Sequence, residues 1–348
     1  MGRRSLPLLA ALLITGCAAD PRWQGPPSDH FDGTRFFNPA VEMDRGVTDV
    51  LRYLVTRDPG AWGKLQARSF PDPPMRVATG ELRITVVGHA SVLIQADGLN
   101  ILTDPVWSDA IGPWPVFGVE RMRLPTLTFE QLPPIDVVLI SHNHYDHLDL
   151  PTIERLAADH APLFVVPPGD RPLLADAGAD RIAELDWHET LTLPNGRTLH
   201  ALPCVHWSGR LPSPDRNLSL WSAYAVGTAG GPVYFGGDTA YGDHFREAGE
   251  RLGPFRLALL PIGAYQPRWL VRRVHMNPDE AVTAHRELGA TRSIGMHFGT
   301  FELSDVGQFQ PIDDLARARR DAGVPQPAFT AANFGVGVPI PPLSRNQE

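Results

Sequence analysis

Three imidazoles and one carboxylate fall inside six consecutive positions, His142-Asn143-His144-Tyr145-Asp146-His147. Neutral imidazole and carboxylate are donors that a transition metal takes. Histidines crowded this closely would otherwise only depress one another's proton affinity, with no gain in packing. The short apolar run Ile135-Asp136-Val137-Val138-Leu139-Ile140 comes just before, after Pro133 and Pro134, and reads as a buried strand. Pro151 then suits a helix start ahead of Thr152-Ile153-Glu154-Arg155-Leu156. The cluster therefore sits on a strand-to-helix loop, where rigid elements present side chains to a ligand. His142 and His144 alternate like strand neighbours, while Asp146 and His147 lie past the bend. That spacing suits two adjacent cations better than one. Isolated histidines such as His30, His160, His188 and His200 read as ordinary hydrogen-bonding residues.

Further donors recur downstream, each at the end of an apolar run. His206 closes Ala201-Leu202-Pro203-Cys204-Val205-His206, and His297 closes Arg292-Ser293-Ile294-Gly295-Met296-His297. Asp238 follows Pro232-Val233-Tyr234-Phe235-Gly236-Gly237, whose glycines leave room for close backbone approach to a metal. Cys204 stands two residues from His206 and reads as a buried strand residue, not a ligand. Nitrogen and carboxylate donors without thiolate suit zinc first, with iron or manganese as alternatives.

The pattern His-x-His-x-Asp-His, with strand-end ligands in this order, resembles the metallo-β-lactamase superfamily. One branch is matched at greater length. Gly88-His89-Ala90-Ser91-Val92-Leu93-Ile94, Leu102-Thr103-Asp104-Pro105 and the segments 132–150, Gly237-Asp238-Thr239, 261–269 and 297–301 resemble the N-acylphosphatidylethanolamine-hydrolysing phospholipase D family. The similarity runs from about Phe36 to near the C-terminus. It implies a four-layer αββα sandwich and two zinc ions, one held by His142, His144 and His206. The other ion would be held by Asp146, His147 and His297, with Asp238 bridging. It also implies a phospholipid substrate cleaved to phosphatidic acid and an N-acylethanolamine, and a homodimer. His275 matches a site histidine of the family, while its other reading is a surface residue before a helix.

Asp104 reads either as a carboxylate orienting a ligand histidine or as the cap of an Asp-Pro turn, and His89 is similarly placed outside the ligand set. Tyr145, Tyr265, Gln266 and Arg268 are expected on the substrate side, against the alternative of structural packing. Val274 departs from the family, which has a polar residue there, so head-group contacts are expected to differ. Other readings of the same centre are a lactonase, a soluble phosphodiesterase or a non-catalytic metal-binding lipoprotein.

The ends and composition set the surroundings. Arg3 and Arg4 precede a short apolar stretch, Leu6 to Ile14, and Ile14-Thr15-Gly16-Cys17 reads as a lipobox. Residues 1–17 are thus expected to be a lipoprotein signal peptide and Cys17 an acylated anchor, making an exported protein tethered at a membrane. Only Cys204 then remains, which leaves no disulfide. The formal charge of −8 argues against nucleic acid as partner and against general adhesion to anionic lipid.

Residues 18–80 are rich in proline and glycine and read as a linker and arm, with one helix over Val47 to Arg57. The apolar residues of that helix, with Trp62 and Phe70, are candidates to line a lipid-access groove. Residues 81–340 read as a single hydrolase domain. Strands are expected at 82–87, 91–96, 137–140, 163–166, 198–202, 220–226, 233–235, 257–260 and 293–296. Helices are expected at 151–158, 171–177, 241–251, 278–288 and 312–322. The helix at 278 has Asn277 as cap, Pro278 as first residue and Glu280 three after the cap.

Overall fold

The computed structural model describes residues 22–42, 46–113, 118–210 and 215–344. The signal-peptide segment and Cys17 therefore lie outside the described residues. A helix, α1 (Val47–Thr56), precedes the first strands, β1 (Leu82–Gly88), β2 (Ser91–Ala96) and β3 (Leu99–Thr103). A two-stranded ribbon, β4 (Ala110–Ile111) with β5 (Val119–Glu120), leads to β6 (Val137–Leu139), α2 (Leu150–His160), β7 (Leu163–Val166), α3 (Arg171–Asp176) and β8 (Ile182–Glu184). The second half holds β9 (Thr190–Thr192), β10 (Thr198–Leu202), β11 (Ala223–Val226), β12 (Val233–Phe235), α4 (His244–Leu252) and β13 (Leu257–Pro261). It continues through α5 (Arg268–Val271), α6 (Pro278–Glu287), β14 (Ser293–Met296), α7 (Gln310–Asp321), β15 (Phe329–Ala331) and β16 (Val338–Pro339).

Among the described residues the strands form two seven-stranded sheets, ordered β16-β1-β2-β3-β6-β7-β8 and β15-β14-β13-β12-β11-β10-β9. Alternation along each strand decides which layer a side chain joins. Val137 and Leu139 point into the core between the sheets, with Ile84, Val92, Leu199, Phe235 and Leu259. Val138 and Ile140 point the other way, under Ile153 and Leu156 of α2 and Leu174 of α3. Phe245 of α4, Val282 of α6 and Leu315 of α7 cover the second sheet. The architecture is the four-layer αββα sandwich.

Strands β3, β6, β7 and β8 run parallel, as do β12 through β15. Their carboxyl ends gather at one edge of the sandwich, the crevice where open α/β sheets take ligands. His89, Asp104 and His297 sit at turns on that edge with φ of 53°, 34° and 61°. Left-handed backbone is uncommon outside glycine, and such positions cluster at functional sites where the surroundings hold them.

Several boundaries differ from the sequence expectation for identifiable reasons. The strand expected from Leu220 starts at Ala223, because Leu220 N–H donates to Pro168 and Ser222 N–H to Ser141, both outside the second sheet. The helix expected from Tyr241 starts at His244, because Ala240 is still extended and bridges Val205. Cys204 is buried as expected but lies beyond the end of β10. Asn277 does cap α6, accepting from Glu280 N–H at 2.8 Å while the Glu280 carboxylate takes Asn277 N–H at 2.8 Å.

The segment 22–42 is a strap and not a loose linker. Phe31 and Phe36 bridge one another and are buried in the main core. His30 contacts Asp186 at 2.8 Å and Asp29 at 2.6 Å and stacks on Trp187. On α1, Leu51 and Val55 face solvent, so this pair does not line a groove, while Tyr53 turns toward the body and bonds Asp305 at 3.1 Å. No described helix is long and apolar enough to cross a membrane.

Burial opposes the charged form of His30, but Asp186 and Asp29 outweigh it and raise its proton affinity. A folded-state pKa above the unfolded value stabilises below about pH 6.5, and the gain is lost as pH rises through the folded value. Replacing His30 with alanine should therefore lower the melting temperature more at pH 5.5 than at pH 8.5. Equal losses at the two pH values would contradict the ion-pair account of the strap.

Candidate metal centre

Asp104, at the end of β3, is fully buried and fixes the loop after β6. It accepts from Ser141 N–H at 2.7 Å and Ser141 O–H at 2.6 Å, and from His147 Nδ1 at 2.6 Å. Ser141 can approach because Gly237 has no Cβ; one placed there would collide with the serine side chain. The glycine thus makes room for a neighbouring loop, where the sequence suggested room for a metal.

Partners on the outer side of each ring select the nitrogen aimed inward. The Val274 carbonyl can only accept, so His206 donates to it through Nδ1 at 3.0 Å and turns Nε2 inward. The Ser141 hydroxyl already donates to Asp104, so it takes the Nδ1–H of His142 at 2.9 Å and leaves Nε2 facing in. His147 likewise presents Nε2. His144 presents Nδ1, which lies 2.7 Å from His142 Nε2 and 3.3 Å from His206 Nε2. These three donors form one group.

A second group contains His89, Asp146, His147 and His297. Asp146 Oδ2 lies 2.9 Å from His89 Nε2, 3.3 Å from His297 Nε2 and 3.4 Å from His147 Nε2. Asp238 Oδ2 stands between the groups, 3.1 Å from His297 Nε2, 3.3 Å from His147 Nε2 and 3.9 Å from His206 Nε2. His275 Nδ1 is 3.7 Å from the same oxygen. His89 was expected outside the ligand set. The tight turn between β1 and β2 instead brings its ring to a centroid distance of 4.0 Å from that of His297.

The charges fit a cation. Burial strongly disfavours protonated His142 and brings His144 and His206 down to about 3, leaving neutral donors. Burial also opposes ionised Asp146 and Asp238, yet their histidine neighbours outweigh it and hold both carboxyls well below the usual range. Asp238 Oδ1 is buried without a hydrogen bond, a costly state for a carboxylate unless a cation answers it. Imidazole and carboxylate atoms within 4.8 Å of one another, with no thiolate, suit a transition ion.

The family to which such a site belongs is shown by comparison. Residues 99–298 match the family described as Beta-lactamase superfamily domain. The chain belongs to the metallo-β-lactamase superfamily. A protein of Caenorhabditis elegans named N-acyl-phosphatidylethanolamine-hydrolyzing phospholipase D 1 is 39% identical over 251 residues, which cover 68% of this chain and 70% of that one. An uncharacterized protein of Mycobacterium tuberculosis is 40% identical over 242 residues, and the match spans 64% of its length. The isothiocyanate hydrolase from Delia radicum gut bacteria shares the superfamily fold, with a TM-score of 0.60 at 17% identity over 74% of this chain and 98% of that chain.

Within this metallo-β-lactamase fold, Tyr145 and Gln266 border a cleft of about 360 Å³ that reaches His144, Asp146, Asp238 and His275. Tyr265 and Arg268, also expected to meet substrate, do not line it. Tyr265 is buried with its hydroxyl on Asp314, and Arg268 pairs with Glu280 at 2.7 Å and donates to the His275 carbonyl at 2.8 Å. Arg268 thereby braces the segment that carries His275.

Sequence reading passed over four supporting residues. Asn38 of the strap donates to the His206 carbonyl at 2.7 Å. Asn143 links Asp170 at 2.8 Å and Gly209 N–H at 2.7 Å, and Arg210 binds the carbonyls of Asn143 at 3.0 Å and Leu148 at 2.6 Å. Burial pushes the Asp170 carboxyl up to about 7. Asn143, inside the motif itself, was the readable signal; the other three become visible only when distant segments meet.

Asp104→Ala should weaken metal affinity by roughly 10- to 100-fold, the usual cost of losing a group that orients a ligand. Asn38→Ala should weaken it by a smaller factor. Competition with a chelator of known affinity measures both, and wild-type affinity in Asp104→Ala would remove its assigned role. A second expectation concerns protons. Burial lowers the proton affinity of His147 and His297, but Asp238 and Asp146 dominate, raising His147 well above the ordinary range and His297 to about 9. Metal must displace those protons, so binding near pH 7 should release them and strengthen as pH rises. Calorimetry in buffers of different ionisation enthalpy reads the release directly, and a heat independent of buffer would count against it.

Proposed function

We propose that this protein is a metal-dependent phosphodiesterase of phospholipase D type, cleaving N-acylated ethanolamine phospholipids with a pair of metal ions. The observation that carries the reading is Asp238, shared between two groups of inward-aimed donors at the base of an apolar cleft. Zinc is the first candidate from the donor set, with iron or manganese as alternatives. The name of the nematode relative and the coverage of that match support the substrate class.

The cleft suits a lipid. Its walls include Tyr53 of α1, Trp207, Leu270, Val271 and Val274. Beside it Trp269, next to the lining residue Leu270, is exposed, and Arg52 stacks over Trp269 at 4.3 Å, which joins α1 to α5. Apolar surface exposed around a cleft marks a meeting place with lipid or protein. Acylation of Cys17 would hold the cleft near its substrate, at a membrane of the cell envelope.

When bound, the metal ions supply a nucleophile at neutral pH and polarise the phosphoryl oxygens. His275 borders the cleft beside Asp238 and is placed to give a proton to the departing ethanolamide oxygen. Water adds to phosphorus, the bond to that oxygen breaks, and phosphatidic acid and an N-acylethanolamine leave. Arg268, anchored by Glu280, keeps His275 in place through its backbone carbonyl.

Metal-loaded protein should convert N-acylphosphatidylethanolamine to these two products, identified by mass spectrometry, in preference to acyl lactones or bis-p-nitrophenyl phosphate. His275→Ala should lower kcat by about 100-fold with metal content unchanged, within the range for loss of a general acid. Lactone turnover without phospholipid turnover would overturn the substrate assignment.

A further inference from the structure

A second cavity, of about 610 Å³, lies between the segment 65–70 and the body and shares no residue with the lining of the metal cleft. Its size is typical of small-molecule sites. Its floor is Phe298, the residue after His297, which packs against Phe334 at a ring distance of 5.3 Å. The walls mix polar and apolar surface and are partly open to water, with Leu124, Phe309 and Ile312 each more than a third exposed.

The charge of the lining is the unusual feature. The chain carries 39 acidic residues against 31 basic ones, yet this cavity is lined by Arg68 and Arg123 and by no carboxylate. Both guanidinium groups lie over aromatic rings, Arg123 over Phe334 at 4.2 Å and Arg68 over Phe70 at 5.7 Å. Neither makes a side-chain hydrogen bond or ion pair among the described residues, and Arg123 Nε is buried without a partner. Other surface arginines meet an acid, as Arg76 does with Asp136 and Arg171 with Glu184.

The segment carrying Arg68 is held in place. Leu65 N–H donates to Met122 at 2.7 Å, and Gln131 reaches the Phe70 carbonyl at 3.1 Å. Phe70 lies flat on Gly335, whose φ of 78° and missing side chain admit the ring. The two cations are thus presented by fixed backbone.

We propose that this cavity binds a single-chain amphiphile with an anionic head, the head on Arg123 and Arg68 and the chain along Leu124, Phe309 and Ile312. Arginine stacked on an aromatic face keeps its edge donors free for a carboxylate or a phosphate. The exposed apolar walls gain by covering a hydrocarbon chain. The inference stands apart from the reaction proposed above, because no metal-cleft residue takes part.

The test uses the full chain and decanoate as probe, below its micelle concentration, followed by calorimetry. Decanoate should bind saturably at one site, in metal-free and metal-loaded protein alike. Acetate and decanol should each bind at least tenfold more weakly. Arg123→Gln and, separately, Leu124→Ser should weaken decanoate at least tenfold with metal content unchanged. Decyl phosphate, run alongside, distinguishes the head group: whichever of the two binds more tightly identifies the source. Decanol binding as well as decanoate would overturn the proposal. So would decanoate binding that needs the metal and survives both substitutions, which places the probe in the cleft.

Discussion

A single buried carboxylate, Asp104, ties the end of one parallel strand to the start of the donor loop on the next. It takes both hydrogen-bonding groups of Ser141 and the outer nitrogen of His147. Burial disfavours a charge in this position, and the three hydrogen bonds that answer it force the loop into one arrangement. Gly237 must then lack a side chain, and β12 must end where it does, which sets Asp238 between the two donor groups. The geometry of the centre follows from this knot, in which each member excludes alternatives for the next.

Much of the arrangement was readable from residue order. The motif 142–147 announced metal chemistry by itself, and runs such as 163–166, 233–235 and 293–296 gave their strands to the residue, because continuous apolar stretches bounded by turns have few other uses. What escaped reading depended on contacts between remote segments. His89 looks like any histidine after a glycine, and only the β1–β2 turn brings it to Asp146. Asn38 lies within Phe36-Phe37-Asn38-Pro39, yet nothing local reveals that it holds the His206 carbonyl. Tyr265 and Arg268 misled in the other direction: polar and aromatic residues near a site resemble substrate contacts until Asp314 and Glu280 are found to occupy them.

The segments before β1 belong to the same device. The strap places Phe31 and Phe36 in the main core and Asn38 behind His206, while α1 supplies Tyr53 to the cleft wall. Arg57, Trp62 and Gly60 fasten this region to residues 302–306, downstream of His297. A stretch rich in proline and glycine therefore contributes as much to the surroundings of the metal donors as several strands do. Its composition gave little sign of this, because irregular backbone held by scattered side-chain bonds has no periodicity to detect.

The first sheet is completed from far along the chain: β16 pairs with β1, Arg83 opposite Pro339 and Ile84 opposite Val338. Buried Arg256 secures the join by gathering the carbonyls of Gly80, Ile340 and Pro341. The whole stretch from β1 to β16 must therefore emerge from the ribosome before β1 acquires its outer neighbour. Until then β1 offers an open row of amides to any extended segment nearby, a hazard in a nascent chain. Closure over so long a loop is slow, which gives a helper that shields exposed strands time to act.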